Sequence, residues 1–162
     1  MNLFIGFLFC TFFAPVSALD DMRNAYFFAA SNKSKLPALY KVVEARLKND
    51  HLYYCYLAAC YSLEANFSNS ISKKMDYFDL SKQNRVKSFG VKDSFDARFI
   101  RFCIQSEAPV FLGYHKNIEE DKTYIVKHMK NETAGNYKTN VKAYLLKCKL
   151  LSKKEKEQVD RL

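Results

Sequence analysis

Glycine and proline are scarce in this chain, four and three among 162 residues. That leaves too few breakers for the many turns of a sheet-rich fold. The sequence has no Cys-x-x-Cys and no His-Glu-x-x-His, so the common zinc and redox spacings are missing. Gly90, Gly113 and Gly135 stand isolated, and no glycine-rich loop could cradle a phosphate. What is abundant is apolar: 14 Phe and 11 Tyr within a 49% hydrophobic composition. That content offsets the entropy of ordering the chain and excludes disorder. The length suits one domain with a real core.

The first stretch stands apart. Leu3 to Ala18 is apolar except for Thr11 and Ser17, and Val16-Ser17-Ala18 offers the small residues of a signal-peptidase site. The run has no Lys or Arg before it, so only the amino terminus supplies positive charge. Pro15 and a length short of the ~18–20 residues of a spanning helix argue against a membrane anchor. The expectation is a signal peptide over residues 1–18, one all-helical domain over 19–162, and a periplasmic or secreted location.

The formal net charge is +9. Such a balance suits an acidic partner or a membrane surface, and export makes nucleic acid the least expected target. Lys153, Lys154 and Lys156 form the densest basic cluster, the natural candidate for membrane-surface contact. Cys55, Cys60, Cys103 and Cys148 remain beyond the leader. Cys55 and Cys60 lie about 140° apart around a helix and cannot bond each other within one. Any full disulfide framework would link each of them to Cys103 or Cys148. The alternative is four thiols acting as small hydrophobes.

Periodicity predicts seven or eight helices and no strand. Asp20 to Ala30 begins with acidic residues where a helix dipole favours them. Leu36, Leu39, Tyr40, Val43 and Leu47 make one amphipathic stripe behind Pro37. Leu52 to Tyr61 has no charge and reads as a central helix. Ile71 to Phe89 follows, with Ile71, Met75 and Phe78 on one face and Gly90 as its expected cap.

Asp93 to Ile125 organises the rest. Asp93 or Ser94 can cap a helix on which Phe95, Phe99, Phe102 and Cys103 share a face. Each buried Phe contributes about 2–3 kcal/mol of transfer free energy. Pro109 stops this helix, and Val110 to Tyr114 forms an apolar corner packed inward. Asn117 can cap the next helix, with Glu119, Glu120 and Asp121 as dipole partners in its first turn. Val141, Tyr144, Leu145 and Cys148 form a further stripe, and Ser152 to Glu155 has the capping-box pattern.

Tyr54, Leu57, Ala58 and Tyr61 resemble the first-helix signature of a tetratricopeptide repeat, and Phe99, Phe102 and Cys103 resemble a second copy. The two lie further apart than the ~34 residues of that repeat. The resemblance implies stacked antiparallel helix pairs without a regular array. Residues 52–129 also resemble a family of small exported proteins of Bacteroidota-type bacteria that has no assigned activity. That resemblance rests on Ala97-Arg98-Phe99-Ile100-Arg101-Phe102, Ala108 to Tyr114 and Ile118 to Lys122. It implies a helical exported protein and carries over no catalytic residue. Under it, the glycosylation-type triplets at Asn32, Asn66 and Asn131 are chance matches.

Reactive constellations are thin. His51 and Cys55 fall on one helix face, but a metal would need a further ligand from His115 or His128. Cys103 with His115 would suit a thiol nucleophile only if Cys103 escaped its apolar face. The expectation is therefore a core built on Tyr54, Leu57, Ala58, Tyr61, Phe95, Phe99, Phe102 and Cys103, with Pro109 and Gly113 at a corner. No catalytic, cofactor or metal residue is assigned. The function expected is that of an exported, non-catalytic helical binding or scaffolding module for a protein or acidic envelope partner. A small metal-binding protein or enzyme is the alternative.

Overall fold

The computed structural model describes residues 17–109, 112–133 and 135–162. The chain is all-helical, and no strand occurs among the described residues. In order the helices are α1 (Ala18–Ser31), α2 (Leu36–Glu44), α3 (His51–Phe67), α4 (Ile71–Val91), α5 (Phe95–Glu107), α6 (Ile118–His128), α7 (Asn136–Lys147) and α8 (Lys153–Asp160). Consecutive helices pack as pairs, α1 with α2, α3 with α4, α5 with α6 and α7 with α8. One apolar cluster runs through them from Met22 in α1 to Val159 in α8.

Local chemistry sets most boundaries. Ser17 accepts from the Asp20 amide at the start of α1, and Asp50 accepts from Leu52 at the start of α3. Ser94, not Asp93, caps α5, taking the Ala97 amide at 3.2 Å. Ser152 and Glu155 form the full capping box of α8. Ala108 turns extended ahead of Pro109 and ends α5, and Gly113 takes the left-handed conformation at φ 66° that a side chain would resist.

Several expectations need correction. Gly90 lies inside α4, which ends at Lys92 in extended conformation rather than on a left-handed glycine. α2 stops at Glu44, so Leu47 leaves its stripe and is 77% exposed. Asn117 precedes α6 without capping it, because its amide is turned to Glu120. Of the expected leader, residues 1–16 lie outside the described residues, while Ser17 and Ala18 cap and open α1. Val110 and Phe111 of the expected corner also lie outside them.

Ala58, Phe95, Phe99, Phe102 and Cys103 are buried. Tyr54, Leu57 and Tyr61 are half-buried, because α3 turns Leu52, Cys55, Tyr56, Ala59, Cys60 and Leu63 to the core instead. Two tyrosines of α7 close over the α5 phenylalanines. The Tyr137 ring meets Phe95 and Phe99 edge-on at 6.2 Å, and Tyr144 meets Phe99 at 5.7 Å.

The α3–α4 hairpin is held differently. Ser81 donates to the Ala58 carbonyl at 2.8 Å and Ser88 to the His51 carbonyl at 2.9 Å. Both pairs are seven residues apart on each helix, so the contact repeats every two turns of an antiparallel seam. Small hydroxyl side chains bonding directly to a neighbour's backbone bring the two helices close. The buried face of α4 is accordingly Ser81, Asn84 and Ser88.

Candidate functional site

Two charged clusters and one bare surface carry the polar chemistry of the fold. The first cluster lies under α1. Arg23 grips Asp96 with two hydrogen bonds, Nε to Oδ1 at 2.9 Å and Nη2 to Oδ2 at 2.7 Å. Its Nη2 also reaches Glu132 at 3.1 Å, and the guanidinium lies 3.8 Å from the Tyr137 ring centroid. The Tyr56 hydroxyl donates to Asp96 Oδ1 at 2.5 Å. Burial opposes the Arg23 charge, but Asp96 outweighs it and holds the pKa above its usual value. Burial raises the Glu132 pKa, with Arg23 partly opposing. The cluster ties α1 to the start of α5 and to the α6–α7 connection, with one guanidinium held between two carboxylates.

The second cluster joins α5 to α6. Asp121 is fully buried and receives both Arg101 Nε and Nη2 at 2.6 Å, with Arg98 Nη1 at 3.3 Å. Arg98 also bonds Asp93 and Glu120. Its guanidinium sits over Tyr124, and that of Arg101 over Phe89. Burial raises the Asp121 carboxyl, partly opposed by Arg101, whereas Arg98 lowers Asp93. Asp121 is thus more than a dipole partner, since it is the anion that makes two arginines compatible with the core. Residue type and spacing hint at this only through Arg98 and Arg101, one helical turn apart and opposite an acidic first turn.

Cys55, Cys60, Cys103 and Cys148 are free, and the first three are buried. Burial pushes the Cys103 thiol up to about 12, opposite to the shift of an activated nucleophile. His51 faces Asp50, Nδ1 to Oδ1 at 3.2 Å, and His128 stacks on Tyr124 with Nδ1 on the Tyr124 carbonyl. Among the described residues no group of three or more His, Cys, Asp and Glu is placed to hold a metal.

The bare surface is the outer side of α4. Five of the eight exposed large hydrophobic side chains among the described residues lie on this helix, including Ile71 at 81% and Val86 at 63%. Along α4 as a whole, Lys73, Lys74, Lys82, Arg85 and Lys87 stand against only Asp76 and Asp79. None of these seven makes an ion pair among the described residues. Arg85 Nη1 is buried with no acceptor, and burial together with Arg101 lowers its pKa. Tyr114, beside Phe78 at 6.0 Å, lies under both Lys82 and Arg85. A groove of about 440 Å³ between α2 and α3 is lined by Leu36, Pro37, Tyr40, Lys41, Glu44 and Glu64, among others. No helix among the described residues is long and apolar enough to cross a membrane. Compared with protein-family models, curated proteins and solved structures, the chain finds no match.

Proposed function

We propose that this protein is an exported, non-catalytic helical binding or scaffolding module, with its helix pairs stacked in a tetratricopeptide-like way. The observation that carries the reading is the outer face of α4, where exposed apolar side chains stand beside cations that make no ion pair among the described residues. Exposed apolar residues concentrated on one element mark an interaction surface more than scattered ones do. The apolar leader and the acidic start of the following helix support export.

Fractionation of cells producing the full chain tests both halves. The expected result is protein in the envelope or medium with its amino terminus at Leu19, co-migrating in size exclusion with a partner identified by mass spectrometry. Retention in the cytoplasm with Met1 intact overturns export. Stoichiometric zinc that is lost in His51→Ala or Cys55→Ala overturns the non-catalytic reading in favour of a metal site.

A further inference from the structure

On the side away from α3, α4 carries a second line of residues at the spacing of a helix contact. Met75, Asp79, Lys82 and Val86 fall at offsets of four, seven and eleven, and all four are exposed. The line is its own complement when reversed. Apolar residues stand at its ends and opposite charges at its centre, so Met75 mirrors Val86 and Asp79 mirrors Lys82 about the Leu80–Ser81 peptide. The surface here is also hollow. A concavity of about 420 Å³ is walled by Asp79, Lys82, Gln83, Val86 and Lys87. The first four of these, at offsets of three, four and seven, have the spacing of a hole that takes one side chain of a facing helix.

We propose that this face pairs with the same face of a second copy of the chain. The two α4 helices run antiparallel about a two-fold axis at the level of the Leu80–Ser81 peptide. Met75 then shares a layer with Val86 of the second copy, and Asp79 with its Lys82, and the symmetry makes each contact twice. Asp79 of the second copy enters the hollow, where Lys82 and Lys87 form a cationic rim. The proposal rests on the reading of the outer face of α4 as an interaction surface and names what covers it.

The order of the residues selects this occupant. An acidic helix would set a carboxylate against Asp79, and a basic one would set a cation against Lys82. An anionic membrane would meet Asp79 in the middle of the face. A foreign helix needs a Lys and an Asp of its own in the matching register, and this chain already carries them. The net charge of +9 opposes self-association at long range, but salt screens that repulsion beyond about 8 Å and leaves contacting Asp–Lys pairs less affected. One helix pair buries less than the roughly 1,200 Å² of a stable complex. The dimer is therefore weak, with a Kd of about 10 µM or more, and parts on dilution to leave the face uncovered.

Sedimentation equilibrium of the protein recovered from its own cells, from about 1 µM to about 300 µM, should show a monomer–dimer equilibrium. Asp79→Lys and Lys82→Asp each oppose like charges and should weaken it about tenfold or more. The combined Asp79→Lys/Lys82→Asp swap should restore it, with melting native-like in all three. Oxidation reads the register. Met75→Cys chains mixed with Val86→Cys chains should form a disulfide dimer where the unaltered chain forms none. Neither variant alone should, because eleven residues of helix, about 16 Å, separate each position from its symmetry mate. Monomer at every concentration, single variants as dimeric as wild type, a swap that restores nothing, or cross-linking of either cysteine variant alone overturns the proposal. Monomer with another protein captured in the fractionation above leaves a binding module with a different occupant. Monomer with no captured protein tells against both. Monomeric protein that binds phosphatidylglycerol vesicles, and more tightly as Asp79→Lys, gives the face to a membrane and overturns the pairing too.

Discussion

α4 and α5 are neighbours in sequence with similar ingredients, phenylalanines, a few aliphatics and arginines, yet they end in opposite states. α5 buries Phe95, Phe99, Ile100, Phe102 and Ile104, and both its arginines are matched by carboxylates. α4 buries Ser81, Asn84 and Ser88 and leaves Ile71, Met75 and Val86 in solvent with its cations unmatched. The difference comes from what each helix meets. α5 meets aromatic rings from α7 and acids from α6, so large side chains and arginines fit there. α4 meets the backbone of α3, where only a small residue allows the approach and a hydroxyl satisfies the carbonyl. Hydrophobicity alone does not decide which face of a helix turns inward.

The largest expected contrast is in the core. Phe102→Ala should cost about 3–5 kcal/mol in urea unfolding, since the ring is fully buried and its loss leaves a cavity. Val86→Ala should stay within about 0.5 kcal/mol. A comparable loss at Val86 would break the comparison, showing that α4's outer face is covered in the isolated protein.

Asp121→Asn sharpens it for charge. The substitution removes the anion that both arginines share at a site closed to solvent. A loss of about 2–3 kcal/mol is expected, less than for a fully orphaned buried charge because Arg98 keeps Asp93 and Glu120. Arg85→Gln on α4 should be neutral or slightly stabilising, because it discards a buried donor with no acceptor. At the hairpin, Ser88→Leu should cost about 1–3 kcal/mol through overpacking and the lost bond to His51, although leucine is the better helix former.

These outcomes mirror how far the sequence could be read. Periodicity and punctuation placed the helices well: Pro109, Ser94 and the Ser152–Glu155 box each mark a real boundary. Phe95, Phe99 and Phe102 were legible as core because aromatic residues at helical spacing have few other uses. Of the large–small signature on α3, Ala58 is buried and Leu57 packs against the core from a half-buried position, while Tyr54 and Tyr61 stay half-buried and Tyr56 turns inward to bond Asp96. The α4 face was illegible in the same sense, since Ser81 and Ser88 look like surface residues until a carbonyl stands opposite them. Arg23 and Glu132, 109 residues apart, meet only through tertiary packing, and no local pattern announces them.

The smallest expected effects separate the two ends of the α5 charge system by sign. Burial raises the folded pKa of Glu132, so the folded state holds that proton more tightly than the unfolded chain does. Its contribution to stability is fully present below the unfolded value of about 4.3 and is lost as pH rises through the raised folded value. Glu132→Gln removes the term, so the melting temperature of the variant relative to wild type should climb as pH rises through that window. Asp93 is the opposite case. Arg98 lowers its pKa, so its contribution is present above the ordinary Asp value and disappears as pH falls through the depressed one. Asp93→Asn should therefore fall further behind wild type as pH rises, and weakly, because the Asp93 side chain is 46% exposed. Parallel slopes for the two variants across an acid-to-neutral melting series would mean that both acids sit in equivalent surroundings. The buried anchor under α1 and the half-open one beside α6 would then not be distinct.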